Sequence, residues 1–280
     1  MNLSVVIATY SDPLGLYLTF FAMWMQLMNS LIPEWEIVIA ADAGTDYKWE
    51  KYPNVRCLRL TGGNRTGSPQ GTRDAGIKAA KYETVLCIES HVAVSNVYEW
   101  LSRHHKECGN PALSFCPRIG EGPELYNVWG STTNWTGNLW YEKHIYEPKP
   151  GEHQIVQFGH SAFMVDRNWY LASGGYTDLQ KGWGGEEPFL CLKAWMLGNE
   201  CWMVPQVAQA HFLTPGAHTG ITESAQFKRN FDIVRYVMNG DPISGLTPEL
   251  QAERAKICAG PMEGSLDNLQ NYLRGKGVIA

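Results

Sequence analysis

The sequence lacks the patterns that assign many proteins to a class at once. None of its seven cysteines forms a Cys-x-x-Cys pair, the usual spacing of zinc ligands and of thioredoxin-like redox centres. The formal net charge of -5 gives no general basic surface for nucleic acid, although a local basic groove would be hidden by this average. With 44% hydrophobic and 18% charged residues, the chain is instead typical of a folded globular protein with a sizeable core.

The sequence also shows no pattern typical of a membrane-spanning helix or a secretory signal. The longest apolar stretch, residues 14–28, is shorter than the roughly 20 residues that cross a bilayer and contains Thr19 and Gln26, so it predicts a buried helix. The amino terminus enters a strand without a basic region or cleavage site. Several cysteines, such as Cys57, Cys87 and Cys191, lie inside apolar runs. We therefore expect reduced, buried thiols and a cytoplasmic protein with no membrane span.

Two nucleotide-binding fingerprints are absent as well. The glycine-rich stretch 62–71 lacks the Lys-Ser/Thr ending of a P-loop, and no Gly-x-Gly-x-x-Gly follows the first predicted strand. Two interpretations of this stretch stay open. Either it is a plain loop, or its backbone N–H groups and the following helix bind a diphosphate, with Arg73 as the counter-charge.

The sequence does contain an alternation of strand and helix patterns in its first third. Short apolar runs predict strands, and longer stretches with helical spacing predict helices. The order is strand 3–10, helix 14–31, strand 36–42, strand 55–60, helix 72–81 and strand 85–89. This order predicts an α/β fold with a parallel sheet and right-handed crossovers, but the layout alone names no reaction.

The last of these strands ends in a polar triplet. The run Val-Leu-Cys-Ile, residues 85–88, suits a strand that is covered on both faces, and Glu89, Ser90 and His91 follow it directly. Because Glu89 and His91 are two residues apart, they point the same way in an extended chain and can share one cation. The plain alternative is a strand that turns polar where it meets water.

The rest of the chain is less regular. Residues 111–151 predict irregular structure over a cleft, and their aromatic side chains argue against disorder (Trp129, Trp135, Trp140 and Tyr141). Residues 188–198 predict a helix that ends at Gly198, and stretches with helical pattern follow residue 224.

The order of three polar clusters, together with two earlier motifs, resembles a known enzyme family. The clusters are Glu-Ser-His at 89–91, Gly-Trp-Gly-Gly-Glu-Glu at 182–187 and Ala-His-Phe at 210–212, and Asp-Ala-Gly-Thr-Asp at 42–46 and Gly-Thr-Arg-Asp-Ala-Gly at 71–76 precede them. In this order the chain resembles the GT-A glycosyltransferases of family 2 and, more closely, the polypeptide N-acetylgalactosaminyltransferases. The resemblance covers residues 3–213.

This resemblance implies a fold and a division of the chain. We expect a GT-A, Rossmann-like domain over residues 1–222, with a mixed, mostly parallel sheet flanked by helices, and a helical C-terminal extension over residues 223–280. The implied activity is transfer of a sugar from a nucleotide sugar, with UDP as the expected nucleotide, to an acceptor hydroxyl.

The resemblance also implies a metal site. Glu89 and His91 stand where the family has its Asp-x-Asp or Asp-x-His motif, and His211 would be a third ligand. Carboxylate and imidazole ligands suit Mn²⁺, with Mg²⁺ as the alternative. The departure from the family is Glu89, whose extra methylene would shift the metal or make the contact water-mediated. The plain alternative for His211 is a packed or surface histidine that follows an apolar strand and binds no metal.

Donor-binding positions follow from the same resemblance. Asp42 stands where the family holds the uracil ring, Thr9 lies at the base-binding strand end, and Arg73 would meet the diphosphate. A carboxylate can accept a hydrogen bond from a ring N–H, although an acid at a strand-to-turn boundary is also ordinary.

The later motif carries the expected sugar-binding and catalytic residues. Glu186 and Glu187 lie at a predicted helix start, where the helix dipole is expected to keep both carboxylates ionised. The plain alternative is that they are ordinary helix-start acids without a function, which Pro188 in the first turn supports. By resemblance Glu186 and Gly185 bind the sugar, Glu187 is a candidate base beside Glu186, and Trp183 and His160 line the sugar pocket. The polypeptide transferases have Asn at the position of Glu187 and retain configuration, so the stereochemical outcome stays open.

The acceptor is the least determined part. One candidate is a hydroxymethylated pyrimidine in DNA, as in some viral family-2-like enzymes, which would then act in the host cytoplasm; the others are a small molecule, an envelope precursor or a protein. A DNA acceptor requires a basic, aromatic rim, and the basic candidates are Arg103, His104, His105, Lys106, Arg118, Lys143 and Lys149. The plain alternative is that these charges belong to ordinary solvated surface.

Two other classes of function stay open. The chain could be a non-catalytic nucleotide-sugar or carbohydrate-binding module, which the Glu at position 89 would permit. A zinc enzyme built on His104, His105 and Cys108 is the other alternative, although this spacing matches no known ligand pattern.

Overall fold

The structure is a computed structural model, and it describes most of the chain. The described residues are 1–9, 12–42, 48–60, 68–108, 111–119, 127–128, 130–139, 141–145, 153–211 and 225–280. Several residues named above lie outside these ranges, including Trp129, Trp140 and Lys149, and so does most of the glycine-rich stretch 62–71.

Strands and helices alternate along the described chain. The strands are β1 (Leu3–Thr9), β2 (Trp35–Ala41), β3 (Val55–Arg59), β4 (Thr84–Glu89), β5 (Val92–Val94), β6 (Pro111–Phe115), β7 (Arg118–Ile119), β8 (Asn127–Val128), β9 (Gly130–Thr133), β10 (Tyr141–Ile145), β11 (Ala162–Asp166), β12 (Glu200–Met203) and β13 (Gln209–His211). The helices are α1 (Pro13–Met28), α2 (Pro69–Ala79), α3 (Val97–Lys106), α4 (Arg167–Ser173), α5 (Glu186–Met196), α6 (Ala225–Asn239), α7 (Pro248–Cys258) and α8 (Leu266–Gly275).

Local chemistry explains where the first two helices begin. The side chain of Asp12 accepts a hydrogen bond from the amide of Gly15 and caps α1, which ends at Met28, three residues before the predicted end. Ser68 caps α2 in the same way, and Pro69 occupies the first turn, so this helix begins three residues before the predicted Thr72.

A seven-stranded sheet forms the centre of the molecule. Its strand order is β12-β6-β11-β4-β1-β2-β3. β11 runs antiparallel to β4 and β6, and the remaining strands run in one direction, so the sheet is mixed and mostly parallel, as predicted. The carboxyl ends of β1, β2 and β4 therefore meet at one edge, where ligands bind in open α/β sheets.

Side chains of alternate strand positions pack into two cores, one on each face of the sheet. On one face Val5 and Ile7 of β1 pack with Phe20 of α1 and Trp100 of α3. On the other face Val6 packs in a cluster with residues of α2, α4 and α5. The sheet is thus covered by helices on both sides, which the nearly continuous apolar strands require.

A second, four-stranded sheet borders this carboxyl edge of the main sheet. Its order is β5-β13-β7-β8, and β13 pairs antiparallel to β5 with His211 opposite Val92. Because β5 follows β4 after only two residues, this small sheet carries a distant part of the chain to the end of β4.

The three C-terminal helices pack against the main domain. Val234 of α6 and Ile257 of α7 belong to the same buried cluster as Leu190 of α5. The buried Nζ of Lys193 on α5 lies 2.9 Å from Glu253 Oε2 on α7 and donates to the carbonyl of Gly175 at 2.8 Å. The predicted boundary at residues 222 and 223 lies outside the described residues, so the division into two domains stays a prediction.

None of the seven cysteines forms a disulfide in the structure, and five of them are buried. Among the described helices, none is long and apolar enough to cross a membrane.

Candidate metal centre and active site

The strand ends at the edge of the main sheet bring the expected donor-binding residues together. In register, Thr9 of β1 lies opposite Ala41 of β2, and Ala8 lies opposite Glu89 of β4. The amide of Asp42, directly after β2, donates to the carbonyl of Thr9 at 3.0 Å. Thr9 and Asp42 are both buried. Contact with a base stays a prediction.

Glu89, His91 and His211 converge as expected. His211 Nε2 lies 3.2 Å from Glu89 Oε2, and His91 Nε2 lies 3.4 Å from the same oxygen. One ligand atom of each residue lies within 4.8 Å of the other two. Among the described residues, this is the one group of three or more His, Cys, Asp or Glu side chains close enough to share an ion.

Strand pairing explains how residues 122 positions apart meet. The β5–β13 register sets His211 opposite Val92, the residue that follows His91. The two imidazole rings then stand edge to face with centroids 4.8 Å apart. A carboxylate and two imidazoles form a donor set that fits Mn²⁺ and leaves coordination positions for other ligands.

Asp12 orients His91, and the sequence analysis missed this residue. Its Oδ2 lies 3.0 Å from His91 Nδ1 and accepts from Ser90 Oγ at 3.2 Å. With Nδ1 bound to a carboxylate, His91 presents Nε2 to Glu89, which is the common arrangement around a metal-binding histidine. A side chain at Gly15 would collide with this carboxylate, since a Cβ there would lie 2.2 Å from Asp12 Oδ2.

We call Glu89, His91 and His211 the metal cluster, and the buried Arg73 pairs with its Glu89. Its Nη2 bonds to Glu89 Oε1, and its Nη1 lies 3.9 Å from Glu186 Oε1. Burial raises the pKa of the Glu89 carboxyl, but Arg73 and the two histidines outweigh burial and hold this pKa well below its usual range. Burial lowers the pKa of His91, but Glu89 and Asp12 outweigh that effect and raise it. Arg73 therefore contacts Glu89 from the interior of the protein, through the carboxylate oxygen that does not face the histidines. Its contact with a diphosphate stays a prediction.

The two acids of the later motif lie at the start of α5. The amide of Gly184 donates to Glu186 Oε2 at 2.8 Å, and both carboxylates are buried. Burial raises the pKa of Glu186, and burial together with the adjacent Glu186 charge raises the pKa of Glu187 well above its usual range. Burial therefore opposes the helix dipole, whose contribution is about 1 kcal/mol, and the expectation that both acids are ionised stays a prediction.

A glycine turn and one buried asparagine hold these acids. Gly184 adopts a φ of +102°, and a Cβ there would lie 2.4 Å from the ring of Phe227. Asn230 of α6 is fully buried; its Nδ2 donates to the carbonyls of Lys181 and Trp183 at 2.7 and 3.3 Å, and its Oδ1 accepts from the Lys181 amide at 3.2 Å. No sequence motif marks Asn230, because its role depends on how α6 packs.

The two residues expected to line the sugar pocket occupy different environments. Trp183 is half-buried and stacks on Phe227, with centroids 5.5 Å apart, beside the glycine turn. His160 is in the core: its Nδ1 lies 2.6 Å from the hydroxyl of Tyr176 and its Nε2 lies 3.4 Å from Cys191 Sγ. Contact of either residue with a sugar stays a prediction.

The basic residues of α3 do not border the metal cluster. Arg103 pairs with Glu99 and Glu107 of the same helix. His105 Nε2 lies 2.8 Å from Thr84 Oγ1. Thr84 begins β4 and Glu89 ends it, so His105 is about 17 Å from Glu89 along the strand.

The zinc alternative fails at the same helix. His104 is buried with Nδ1 2.8 Å from Ser114 Oγ, and burial lowers its pKa to about 3. His104, His105 and Cys108 do not converge on one point within the described chain.

Of the expected basic rim, Arg118 of β7 does lie near the metal cluster, because its strand position is paired with Gln209, two residues before His211.

Known proteins resemble the chain in sequence and in fold. No family model matches the sequence. Polypeptide N-acetylgalactosaminyltransferase 8 of Drosophila melanogaster is 24% identical over 204 residues, which are 65% of this chain and 33% of the relative. The chain thus spans about a third of the length of this relative.

Solved structures resemble the chain over nearly its whole length. The crystal structure of GalNAc-T7 with UDP, GalNAc and Mn²⁺ has a TM-score of 0.74 at 16% identity and covers 99% of this chain and 57% of that one. S. aureus TarS 1-349 in complex with UDP-GlcNAc has a TM-score of 0.57 at 15% identity, covering 99% and 88%. The chain therefore has the GT-A fold, as predicted, and its relatives and structural neighbours are glycosyltransferases.

The hydrogen bonds of Asn230 to the backbone of residues 181 and 183 give a testable prediction. Asn230→Ala leaves the Lys181 amide and two carbonyls without this partner, so we expect the free energy of unfolding to fall by about 3 kcal/mol. The backbone amides of residues 181–187 should also exchange hydrogen faster. Urea denaturation and hydrogen-exchange mass spectrometry measure the two effects.

Gln226→Ala is the matched control. It removes one bond to Asn230 Oδ1 from an exposed side chain, so the loss should stay below about 1 kcal/mol. Equal losses in both variants, or unchanged exchange in Asn230→Ala, would show that Asn230 does not hold the turn.

Proposed function

We propose that the chain is a metal-dependent glycosyltransferase that moves a sugar from a UDP-sugar to an acceptor hydroxyl. The observation that carries this proposal is the convergence of Glu89, His91 and His211 at the carboxyl edge of the sheet of a GT-A fold. Glycosyltransferase relatives and neighbours solved with UDP, UDP-GlcNAc or Mn²⁺ support it.

Each strand end has a role in donor binding under this proposal. Thr9 and Asp42 bind the nucleotide base, and Glu89, His91 and His211 hold the Mn²⁺. A bound Mn²⁺ supplies Lewis-acid neutralisation of the diphosphate leaving group. Arg73 keeps Glu89 ionised and correctly aimed, and the carboxylate of Asp12 keeps His91 in the tautomer that a metal needs.

The α5 acids act on the sugar and the acceptor. Glu186, held by the Gly184 amide, binds hydroxyls of the donor sugar together with Gly185 and Trp183. Glu187 Oε2 is buried and lacks a hydrogen-bond partner among the described residues, and its raised pKa suits a group that accepts a proton. In an inverting transfer the acceptor oxygen forms the new bond to the anomeric carbon and Glu187 takes the acceptor proton. The sugar–phosphate bond breaks, and its electron pair leaves with UDP.

The acceptor is a hydroxyl on DNA, a protein, an envelope precursor or a small molecule. A protein acceptor is consistent with the name of the polypeptide transferase relative. For a DNA acceptor, Arg118, whose strand position lies opposite Gln209, would contact phosphate.

Metal and UDP binding test the donor site. We expect UDP with Mn²⁺ to raise the melting temperature, and Mn²⁺-dependent UDP affinity to fall at least about 10-fold in Glu89→Gln and His211→Ala because a ligand is lost. Calorimetry measures the affinity. His105→Ala, an exposed histidine at the far end of β4, should bind as the wild type does. No shift with any nucleoside diphosphate and metal would overturn the proposed function.

Turnover tests the two acids. Glu187→Gln should lower kcat by about 10²–10⁴-fold if Glu187 is the base, with UDP affinity unchanged. Glu186→Gln should instead raise KM for the donor sugar, and the exposed Glu249→Gln should change neither value. Release of UDP from UDP-sugars provides the measurement. Tight UDP-sugar binding without any release in the wild type would favour the non-catalytic module, and full activity of Glu187→Gln would remove it as the base.

Gel shifts with duplex DNA test the nucleic-acid acceptor. If DNA is the acceptor, the wild type should shift duplex DNA in a salt-sensitive way, and Arg118→Ala should weaken the shift because a phosphate contact is lost. Lys106→Ala on α3 is the control and should bind unchanged. Absence of a shift at low salt would exclude DNA and leave the other three acceptor classes.

A further inference from the structure

The first helix is apolar on its outer face as well as on most of its inner face. Its polar residues Thr19 and Gln26 face inward and bond to the backbone around β5. Thr19 Oγ1 donates to the Val92 carbonyl at 2.8 Å, and Gln26 Nε2 donates to the Val94 carbonyl at 2.7 Å. No charged residue occurs in α1. Both polar side chains therefore bond to the protein backbone and not to solvent.

The outward face of α1 is apolar throughout. The exposed fractions are 71% for Leu14, 55% for Leu18, 36% for Phe21, 54% for Met25 and 50% for Met28. Pro13 is the other exposed residue of this helix, so none of its exposed positions is polar. We call these five side chains the α1 stripe. A surface helix ordinarily carries polar residues on this face.

The size of the α1 stripe is close to that of an interface. A free side chain of this size exposes on the order of 200 Å². With Leu31, which is 78% exposed just beyond the helix, the apolar surface sums to roughly 700 Å². A monomer rarely exposes a contiguous apolar patch above about 600 Å², and each partner of a stable complex contributes about 800 Å².

The spacing of the stripe is that of a helix–helix seam. Its residues follow one another at intervals of 4, 3, 4 and 3, which is the pattern of side chains that pack between two helices. Phe21 is the midpoint. A second copy in the opposite direction would set Leu14 of one copy beside Met28 of the other, and the two Phe21 rings would meet at the centre. The stripe is therefore complementary to itself, as a two-fold interface requires.

Charge favours a second copy over a lipid surface. Helices that lie on membranes carry Lys and Arg along their polar face, whereas α1 carries none and the chain has a net charge of -5. Glu50 and Lys51, from the short 3-10 turn whose Trp49 packs against Tyr17 of α1, are of opposite sign. A border with mixed charge does not repel its own copy.

We propose that the α1 stripe is a homodimer interface in which two copies of α1 pack antiparallel about a two-fold axis beside Phe21. The stripe is on the outer face of the helix, so the proposal does not depend on the proposed enzymatic function.

Analytical ultracentrifugation over a wide range of protein concentration tests the assembly. The wild type should reach twice the chain mass of 31.4 kDa, and the double variant Leu18→Glu/Met25→Glu should stay monomeric while keeping the circular dichroism spectrum of the folded protein. The matched control is Leu171→Glu/Leu246→Glu, two leucines that are 40% and 46% exposed elsewhere, and it should dimerise as the wild type does. A wild type that is monomeric throughout, or a dimer that survives Leu18→Glu/Met25→Glu, overturns the proposal.

Cysteine cross-linking tests the geometry. In a Cys258→Ser background, which removes the exposed native cysteine, Phe21→Cys should form an intermolecular disulfide under mild oxidation. Leu14→Cys should not, because two residues 14 would be about 21 Å apart in the antiparallel pair. Efficient cross-linking at both positions would indicate a parallel pair and overturn the antiparallel geometry. Flotation of a monomeric wild type with neutral phosphatidylcholine vesicles, lost in Leu18→Glu/Met25→Glu, would identify a membrane surface instead.

Discussion

The contact on which the site depends is the one between Glu89 and Arg73. Glu89 ends a strand that is buried on both faces, where an isolated carboxylate would tend to become neutral. The buried guanidinium of Arg73 keeps it ionised, and this frees Oε2 to face His91 and His211. Because Arg73 also lies 3.9 Å from Glu186, one fixed positive charge links the metal cluster to the acids of α5. Arg73 thus connects the metal cluster and the two α5 acids within the protein.

Two tight backbone arrangements hold the groups around this contact. At the start of α1, the absence of a side chain at Gly15 lets Asp12 reach both the helix amide and His91. At the start of α5, Gly184 fits against Phe227 while Asn230 holds the preceding backbone. In each case a carboxylate is aimed by a helix start, and the glycine is needed for close approach. Helix α6 therefore contributes directly to the position of Glu186 and Glu187.

The sequence predicted the elements better than their pairing. The mostly parallel sheet follows from the alternation of strands and helices, and the positions of Glu89, His91 and His211 followed from the order of motifs. The β5–β13 register, which brings His211 to His91, involves strands of three residues with no periodic signal of their own. Asp12 and Asn230 were missed because both roles arise from packing. The dipole argument for Glu186 and Glu187 left out their burial, which raises the pKa of both carboxyl groups and depends on the whole fold.

The structure also gives a physical reason for the glutamate at position 89, where the resembling families have aspartate. Its two oxygens have different partners: Oε1 bonds to Arg73, which lies inside the protein, and Oε2 faces both histidines. An aspartate on the same backbone would end about 1.5 Å short. It could not bridge the guanidinium and His211 without moving β4 or α2. Since β4 is fixed by β1 and β11 on either side, the longer side chain is the way to keep both contacts. The extra methylene that departs from the family motif is therefore matched to the depth at which Arg73 is buried.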